Sequence, residues 1–183
     1  MSPISLDMAV MERKNWVALK DLLDKGLTLV ICGTAAGRES AKLKQYYAGR
    51  GNKLWRVLYE TGLTPDLLGP AEYEKLLEYG IGFTDLVKKK AGQDNILLPG
   101  DFDSRGLRER ISRYHPKYLC FNGKRAAQEY FGNPVEYGLQ QATIGHTRIF
   151  VAPSTSAAAG RFWDKRHWEK LARLCKRADR EKT

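Results

Sequence analysis

Side chains that bind metals or form disulfides are scarce in this 183-residue chain, which has three cysteines and three histidines. Cys32, Cys120 and Cys175 stand far apart, and two of them lie in apolar, strand-like runs. We therefore expect buried, reduced thiols rather than disulfides. Neither the cysteines nor the histidines have the spacing of a zinc or iron–sulfur site, so no metal, cluster or other cofactor is predicted.

Long apolar runs are also missing. No stretch approaches the length of a membrane span, and the N-terminal segment MSPISLDMAV lacks a basic-then-apolar signal pattern. We expect a soluble, cytoplasmic protein with no membrane partner. At 43% hydrophobic residues the chain can bury one good core. The predicted organisation is a single domain over 1–183, with 1–26 as an N-terminal helical segment and 178–183 as a basic tail.

Acidic residues are fewer than basic ones, 21 against 31, which gives a formal net charge of +10. A surplus of this size favours an anionic partner, nucleic acid first, although solubility alone explains many such surpluses. The basic residues concentrate in two segments, 42–56 and 161–182. The charge therefore indicates a nucleic-acid partner without identifying one.

Short apolar runs alternate with helical patterns along the chain, which indicates a mostly parallel sheet covered on both faces. Segment 91–103 is rich in turn residues and is predicted to be a long surface loop. The predicted strands lie at 27–32, 117–121 and 148–152, and the predicted helices at 8–24, 55–61, 71–79, 107–114, 124–131 and 163–176.

Three loops follow these strands, with the sequences GTAAG, NGK and PSTSAAAGR. Ligands bind beyond the carboxyl ends of strands in open α/β sheets, so a site is expected where these loops meet. Small residues and backbone N–H groups suit close approach to an anion, and hydroxyls suit a phosphate. GTAAG is not the G-x-G-x-x-G of dinucleotide sites, and Gly123-Lys124 lacks the rest of a Walker motif.

Five blocks of sequence resemble the mismatch-specific uracil- and thymine-DNA glycosylases. The similarity runs from about Leu29 to Trp168, and its middle blocks are the most specific. The resemblance implies a uracil-DNA glycosylase fold, a three-layer α/β/α sandwich around a central four-stranded, mainly parallel sheet. The blocks are, in order, GTAAGRESA, YYAGRGNKLWRVLYETGLTP, LLEYGIGFTDLV, YHPKYLCFNGKRA and VAPSTSAA.

The resemblance also implies residue roles, beginning with the first loop. The family motif there usually is G-I-N-P-G, with the asparagine orienting the attacking water, whereas this chain has Ala35 at that position. Gly33, Thr34 and Ala35 are therefore expected to form a backbone wall for the base without holding water. Tyr47 corresponds to the aromatic residue that stacks on the flipped base.

Further roles follow for the loop after the third strand and for the basic segment. The second motif corresponds to Pro153–Ala157, and the family inserts residues just after it into the duplex. Asn122 is expected either to bond the base edge or to close a turn. The expected DNA contacts are Ser154, Thr155, Ser156, Ala158, Arg161, Arg50 and Lys53.

Because Ala35 cannot position water, another residue must, or the activity is weak. Asn52 is one candidate, since the related hypoxanthine-DNA glycosylases have a catalytic asparagine in a similar Y-Y-A-x-x-x-N-x-x-W context; it is equally suited to starting a helix. Asp101 is the preferred acid because it has no evident helix-capping role. Asp103 has a competing structural role as the N-cap of the helix that follows it. Asp85 is a third, weaker candidate for the water-activating acid.

The function implied is a monofunctional, monomeric DNA repair glycosylase that removes uracil, or other deaminated or mismatched bases, by base flipping and water attack. An intracellular, nucleoid-associated location follows from a DNA substrate. Two alternatives stay open. One is a protein of the same fold that binds damaged or abasic DNA with little or no catalysis, and the other is an enzyme acting on free nucleosides.

Overall fold

The computed structural model describes residues 18–92 and 94–181, and its centre is a five-stranded sheet. The order of strands across the sheet is β2-β1-β3-β5-β4. The first four in this order run parallel, while β4 pairs antiparallel with β5 at the edge. The strands are β1 Leu29–Gly33, β2 Ile81–Asp85, β3 Tyr118–Asn122, β4 Gly138–Ile144 and β5 Thr147–Ala152.

Helices cover both faces of this sheet. Buried side chains of α2, α5 and the 3₁₀ helix Pro70–Tyr79 pack on one face, and those of α3 and α4 pack on the other. The predicted α/β architecture is therefore correct, with helical layers on both sides of the sheet. The α-helices are α1 Arg38–Leu43, α2 Leu54–Glu60, α3 Ser104–Tyr114, α4 Lys124–Phe131 and α5 Lys165–Arg180.

The prediction of four strands was wrong, because the sheet has five. Strand β2 contains Gly82, which weakens a strand signal, yet the residue is required there: a Cβ on Gly82 would come within 2.4 Å of the Leu22 carbonyl oxygen. Strand β4 is an edge strand with polar, largely exposed residues in its middle. Such a strand lacks the apolar run by which the buried strands were recognised.

Both predicted terminal segments need correction. Residues 18–26 contain no helix, and Leu22 forms an antiparallel bridge with Phe83 of β2; the earlier part of the predicted helix, 8–17, lies outside the described residues. At the other end, 178–180 belong to α5, and Ala178 is buried. The predicted loop 91–103 contains two short 3₁₀ turns, Asp94–Ile96 and Pro99–Asp101.

The three cysteines are buried free thiols, as the sequence predicted. Burial raises the pKa of the Cys32 and Cys120 thiols well above the usual value and that of Cys175 to about 12. No helix in the described part of the chain is both long and apolar enough to cross a membrane.

The parallel strands place their carboxyl ends at a single edge of the sheet. Gly33 at the end of β1 pairs with Asp85 at the end of β2, and Asn122 at the end of β3 pairs with Ala152 at the end of β5. The loops that follow these four strands therefore meet at this edge, where the site was expected.

Candidate active site at the carboxyl edge of the sheet

A buried carboxyl group lies beside the glycine that ends β1. A Cβ on Gly33 would come within 2.6 Å of Asp85 Oδ1 and within 3.2 Å of the Tyr47 hydroxyl. Gly33 is buried, and Asp85 is only 3% exposed. Only glycine fits against these two polar groups, and we call the place where the first loop meets Asp85 and Tyr47 the recess.

Tyr47 forms one wall of this recess. Its ring is half-buried and stands edge-on to Phe83, with 5.1 Å between ring centroids. Its backbone has a φ of 51°, a left-handed conformation that is uncommon for a non-glycine residue. Trp55 Nε1 donates a hydrogen bond to the Tyr47 carbonyl at 3.2 Å, which helps to hold this conformation. The strained backbone and its support aim the phenol at Gly33 and Asp85.

Several buried polar atoms here have no hydrogen-bond partner among the described residues. They are the hydroxyls of Tyr46 and Tyr47 and Oδ2 of Asp85, although the Asn122 side chain lies near enough to the Tyr47 hydroxyl to offset in part the rise that burial causes in its pKa. Buried polar groups are nearly always satisfied by protein, water or ligand, so three such atoms together indicate a place for a polar guest. Burial, and next the charge of Asp85, raise the pKa of Tyr47 well above its usual value, which keeps the phenol a neutral donor.

Near neutral pH the Asp85 carboxyl group is partly protonated and partly ionised. Burial raises its pKa to about 7. Lys88 and Arg110 oppose that rise and Asp21 adds to it. Arg110 also donates a hydrogen bond to the Asp85 carbonyl at 3.0 Å, while Asp21 accepts one from Lys88 at 2.7 Å. A carboxyl group of this kind can serve as a hydrogen-bond donor at neutral pH, which an ordinary aspartate cannot.

Asn122 joins β3 to the loop after β5. Its Nδ2 donates to the Thr155 hydroxyl at 2.9 Å, and its Oδ1 accepts from the Thr155 amide at 3.0 Å. These bonds join two loops that are 33 positions apart, so they do not close a local turn at Asn122, and a contact with the base edge stays a prediction. A second Nδ2 proton and a second Oδ1 lone pair remain, and the Tyr47 hydroxyl lies near enough to this side chain to interact with it. These two bonds fix the position of the serine-rich loop relative to the recess.

The prediction that Thr155 contacts DNA needs correction. Thr155 has no exposed surface, and both its hydroxyl and its amide are bonded to Asn122. Its carbonyl accepts from the Lys53 amide at 2.8 Å, which ties a third segment to the same point. Thr155 therefore holds loops together rather than facing a phosphate.

The segment from Tyr47 to Lys53 connects the recess to the β5 loop. Tyr47 lies at the recess, Lys53 is bonded to Thr155, and a Cβ on Gly51 would meet the Ala157 Cβ at 3.3 Å. Asn52 lies on this segment and is half-buried. Its Oδ1 accepts from the Leu54 amide at 3.0 Å, but Lys53 is the N-cap of α2, so Asn52 supports the start of the helix from one residue before the N-cap. A lone pair on that oxygen and the whole NH₂ group remain available.

The two other predicted acids have evident structural roles. Asp103 accepts from the Gly106 amide at 2.8 Å and so caps α3, as its rival role required. Asp101 is bonded to Lys90 and to the Leu98 amide at 2.8 Å. The reason for preferring Asp101, that it lacked a capping role, is therefore wrong. Its loop is nevertheless attached to the first loop, since Gly92 donates to the Ala36 carbonyl at 2.8 Å.

The other predicted DNA contacts lie on the segments before α2 and after β5. Arg50, Ala158 and Arg161 are exposed, while Ser154 and Ser156 are half-buried. The Lys53 ammonium lies 5.7 Å from the Trp163 ring centroid. Thr34 and Ala35 are half-buried at the first loop, and the Thr34 carbonyl accepts from Val87. The sequence thus predicted three of the loops at this edge but not the loop after β2, and it gave the least weight to Asp85, which ends that edge strand beside Gly33.

Comparison with known proteins agrees with this fold. The model of the uracil DNA glycosylase superfamily matches residues 21–176. The chain is also similar to a solution NMR structure described as a "putative Uracil DNA glycosylase" from Methanosarcina acetivorans. That match has 25% sequence identity and a TM-score of 0.60, and it covers 88% of this chain and 98% of the other.

Proposed function

Because this chain belongs to the uracil DNA glycosylase superfamily, we propose that it is a DNA glycosylase that hydrolyses the N-glycosidic bond of uracil in DNA. The observation that carries the proposal is the recess formed by Gly33, Tyr47 and Asp85, with its unpartnered buried polar atoms. Enzymes of this kind must take the target base out of the stack and hold it in a fitted pocket. The recess lies where the loops of four strands converge.

Asp85 supplies the base-reading chemistry in this proposal. A neutral carboxyl group has one donor and one acceptor side by side, which matches a base edge that presents a carbonyl oxygen next to an N–H group. Uracil has such an edge, with O4 next to N3–H. Since the pKa of Asp85 is raised to about 7 by burial, the neutral form is well populated at neutral pH.

Asp85 and the tyrosine hydroxyls also assist departure of the base. Negative charge develops on the leaving pyrimidine as the bond to the sugar breaks, and fixed donors in a site shielded from water stabilise such charge. The half-buried Tyr47 ring offers a face for stacking on the same base. Gly33, Thr34 and Ala35 add the backbone wall, and the remaining Asn122 donor lies at the end of the neighbouring strand.

Asn52 is the residue we assign to the attacking water. It lies on a short segment with one end at Tyr47 and the other at Thr155, and it has a free lone pair and a free NH₂ group. The carboxylate of Asp101 is already bonded to Lys90 and Leu98, which makes it the weaker candidate. The water hydroxyl would join the sugar carbon, and the remaining proton would pass to the departing base.

DNA would approach the mouth of the recess. Arg50, Lys53 and Arg161 supply positive charge there, and Ser154 and Ser156 supply hydroxyl groups. Ala158 lies at the exposed start of the 3₁₀ helix Ala157–Phe162, where a residue can enter the gap left by a flipped base. We propose one domain and a monomer, with no covalent lysine intermediate and hence no lyase step.

A second function is favoured by one feature, the alanine at position 35. A protein of this fold without an efficient water-holding group would bind damaged or abasic DNA and release little base. Such a protein would retard uracil-containing DNA on a gel in a salt-sensitive manner without producing abasic sites.

Excision can be tested with labelled oligonucleotides that contain one uracil, as single strands and as duplexes opposite guanine or adenine. After incubation, alkali cleaves any abasic site, and a denaturing gel separates the product. A Gly33→Val variant, purified in the same way, controls for contaminating glycosylase because its side chain would fill the recess. Cleavage by the wild-type protein alone supports the proposal. Equal cleavage by both, or binding without cleavage, contradicts it.

A further inference from the structure

The solvent face of α5 carries a row of basic side chains. Lys170, Arg173 and Arg177 are spaced by three and four residues, so they lie on one face of the helix. All three are exposed. Arg166, one turn earlier, continues the row toward the start of the helix. From Arg166 to Arg177 the row extends over roughly 16 Å at 1.5 Å per residue.

The middle of this row is not neutralised by neighbouring acids. Among the residues that the structure describes, Lys170, Arg173 and Arg177 form no ion pair, although α5 contains other pairs. Arg166, by contrast, is bonded to Asp164 through two nitrogens. A helix whose charges served only solubility would gain from pairing them along its surface. The three unpaired cations instead form a continuous positive surface.

A shallow cleft adjoins the first half of the row. It has a volume of about 400 Å³ and lies between α5 and the start of β4. Its aromatic wall is Tyr137, whose ring has the Lys124 ammonium 4.6 Å from its centroid. The lining residues are Tyr137, Asp164, Arg166, His167, Lys170 and Arg173.

The row begins near the proposed active site. The 3₁₀ helix Ala157–Phe162, which follows the serine-rich loop, ends two residues before Asp164, and Asp164 caps α5. The cleft lies beside the strand edge where β4 starts, and Gly138 there pairs with Val151 of β5. Positive charge therefore continues along the chain from Arg161 through the cleft and along α5, whose end lies beside Lys117 at the amino end of β3.

From this arrangement we propose that the basic face of α5 is a second DNA-binding surface, which holds the phosphate backbone of the strand beyond the flipped base. This inference rests on the proposed function for the identity of the partner. Each strand of B-DNA has a phosphate about every 3.4 Å of axis, so a row of this length faces several phosphates. The contacts are to phosphate and carry no sequence information, which suits an enzyme that must search undamaged DNA.

Salt dependence of binding tests the proposal. The affinity of the full-length protein for an undamaged 24-base-pair duplex is measured by fluorescence anisotropy at several salt concentrations. The variant Lys170→Gln/Arg173→Gln/Arg177→Gln removes three charges and keeps good helix formers. Its matched control, Arg105→Gln/Arg108→Gln/Arg113→Gln, removes three exposed charges from α3 on the opposite face of the sheet.

Each lost phosphate contact lowers the slope of log affinity against log salt by about 0.9. For the α5 variant we expect the magnitude of this slope to decrease by about two to three, and the affinity at low salt to fall at least tenfold. The control variant should have the slope and affinity of the wild type. Equal slopes in the two variants would overturn the proposal. For the single variant Arg173→Gln the magnitude of the slope should decrease by about one. Thermal melts verify that each protein is folded.

Excision of uracil is measured separately under single-turnover conditions with saturating enzyme. We expect the α5 variant to retain the wild-type rate once bound. Because the binding experiment uses undamaged DNA, it remains informative if the protein excises nothing. If the α5 variant changed the salt slope but the wild type excised no uracil, the DNA-binding surface would be supported and the proposed function refuted. If the wild type excised uracil but the slope did not change, the proposed function would be supported and the DNA-binding surface refuted.

Discussion

The carboxyl group of Asp85 lies against Gly33, so that a methyl group on the glycine would approach Oδ1 to 2.6 Å. The two residues are direct partners in the parallel ladder between β2 and β1. The recess therefore depends on a strand register and a missing side chain together. A change at either position should affect the site more than it affects the fold.

Gly33→Ala should abolish most excision while the protein remains folded. The added methyl group would force the Asp85 carboxyl group to shift. It would also lie only 3.2 Å from the Tyr47 hydroxyl and so crowd the recess on that side. We expect a loss of at least 100-fold in kcat/KM, since misplacement of a catalytic group by about 1 Å has that effect. The excision rate under single-turnover conditions measures the loss of activity, and circular dichroism verifies that the variant is folded.

Gly37→Ala is the matched control for this variant. No atom outside its chain neighbours lies within 4 Å of a Cβ at Gly37, and its φ of −66° suits any residue. Its activity should equal that of the wild type. If both glycine variants lost activity equally, the effect would reflect the loop as a whole and not the recess.

Excision should fall as the pH rises through about 7. Burial raises the pKa of Asp85 to about 7, and only the neutral carboxyl can donate a hydrogen bond to a base carbonyl. Asp85→Asn has a permanent donor and acceptor of similar shape, so its excision rate should be independent of pH between about 6 and 8.5. An unchanged pH profile in this variant would exclude Asp85 as the titrating group.

The same substitution should stabilise the protein at alkaline pH. In the range between the ordinary aspartate pKa and about 7, the native state binds more protons than the unfolded state, so stability decreases as the pH rises. Above about 7 the full cost of the buried carboxylate is present, on the order of a few kcal/mol. Urea unfolding should therefore show that the free energy of unfolding of the variant rises relative to that of the wild type between pH 4 and pH 8.

Asn52→Ser should separate water positioning from the start of α2. Serine can still accept a hydrogen bond from a backbone amide near position 54, as Asn52 now does, but it lacks the amide group. We expect near-native stability and a loss of excision of about 100-fold or more, the size typical of losing one polar catalytic group. Gel-shift affinity for uracil-containing DNA should stay within a few-fold.

Asp101→Asn is the informative comparison for Asn52→Ser. The ion pair with Lys90, followed by the Leu98 amide, lowers the pKa of Asp101, so its contribution to stability is present near neutral pH and disappears in acid. We expect a lower melting temperature at pH 7, little difference at pH 3, and a normal excision rate. A strong loss of excision with the melting temperature unchanged would return the water-activating role to Asp101.

The sequence allowed the sheet edge to be predicted because β1, β3 and β5 are short, apolar and followed by small polar residues. It did not identify Asp85, since the block IGFTD has a glycine, a threonine and an acid in place of a continuous apolar run. The importance of Asp85 comes from its pairing with Gly33, more than fifty positions earlier in the chain. Register across parallel strands is a tertiary property, which local patterns do not specify.

The roles of the polar loop residues were uncertain for a similar reason. Asn122 and Thr155 are 33 positions apart, and nothing local indicates that they bond to each other. Asp101 and Asn52, by contrast, bond to amides within three residues, and such roles can be anticipated from capping and turn preferences. The sequence thus predicted that the loops after β1, β3 and β5 meet but missed the loop after β2, and it was less informative about which side chains in them are free.

Thr155→Val should destabilise the protein without changing how DNA binding depends on salt. Valine has a similar shape but no hydroxyl, so the Asn122 Nδ2 group would lose its buried partner, at a cost of about 1–3 kcal/mol. Thr155→Ser keeps the hydroxyl and should fall between the wild type and the valine variant. Urea unfolding and the salt slope of binding to undamaged duplex measure the two effects. Because Thr155 has no exposed surface, a lower salt slope in the valine variant with unaltered stability would mean that the loop opens to place this hydroxyl on a phosphate.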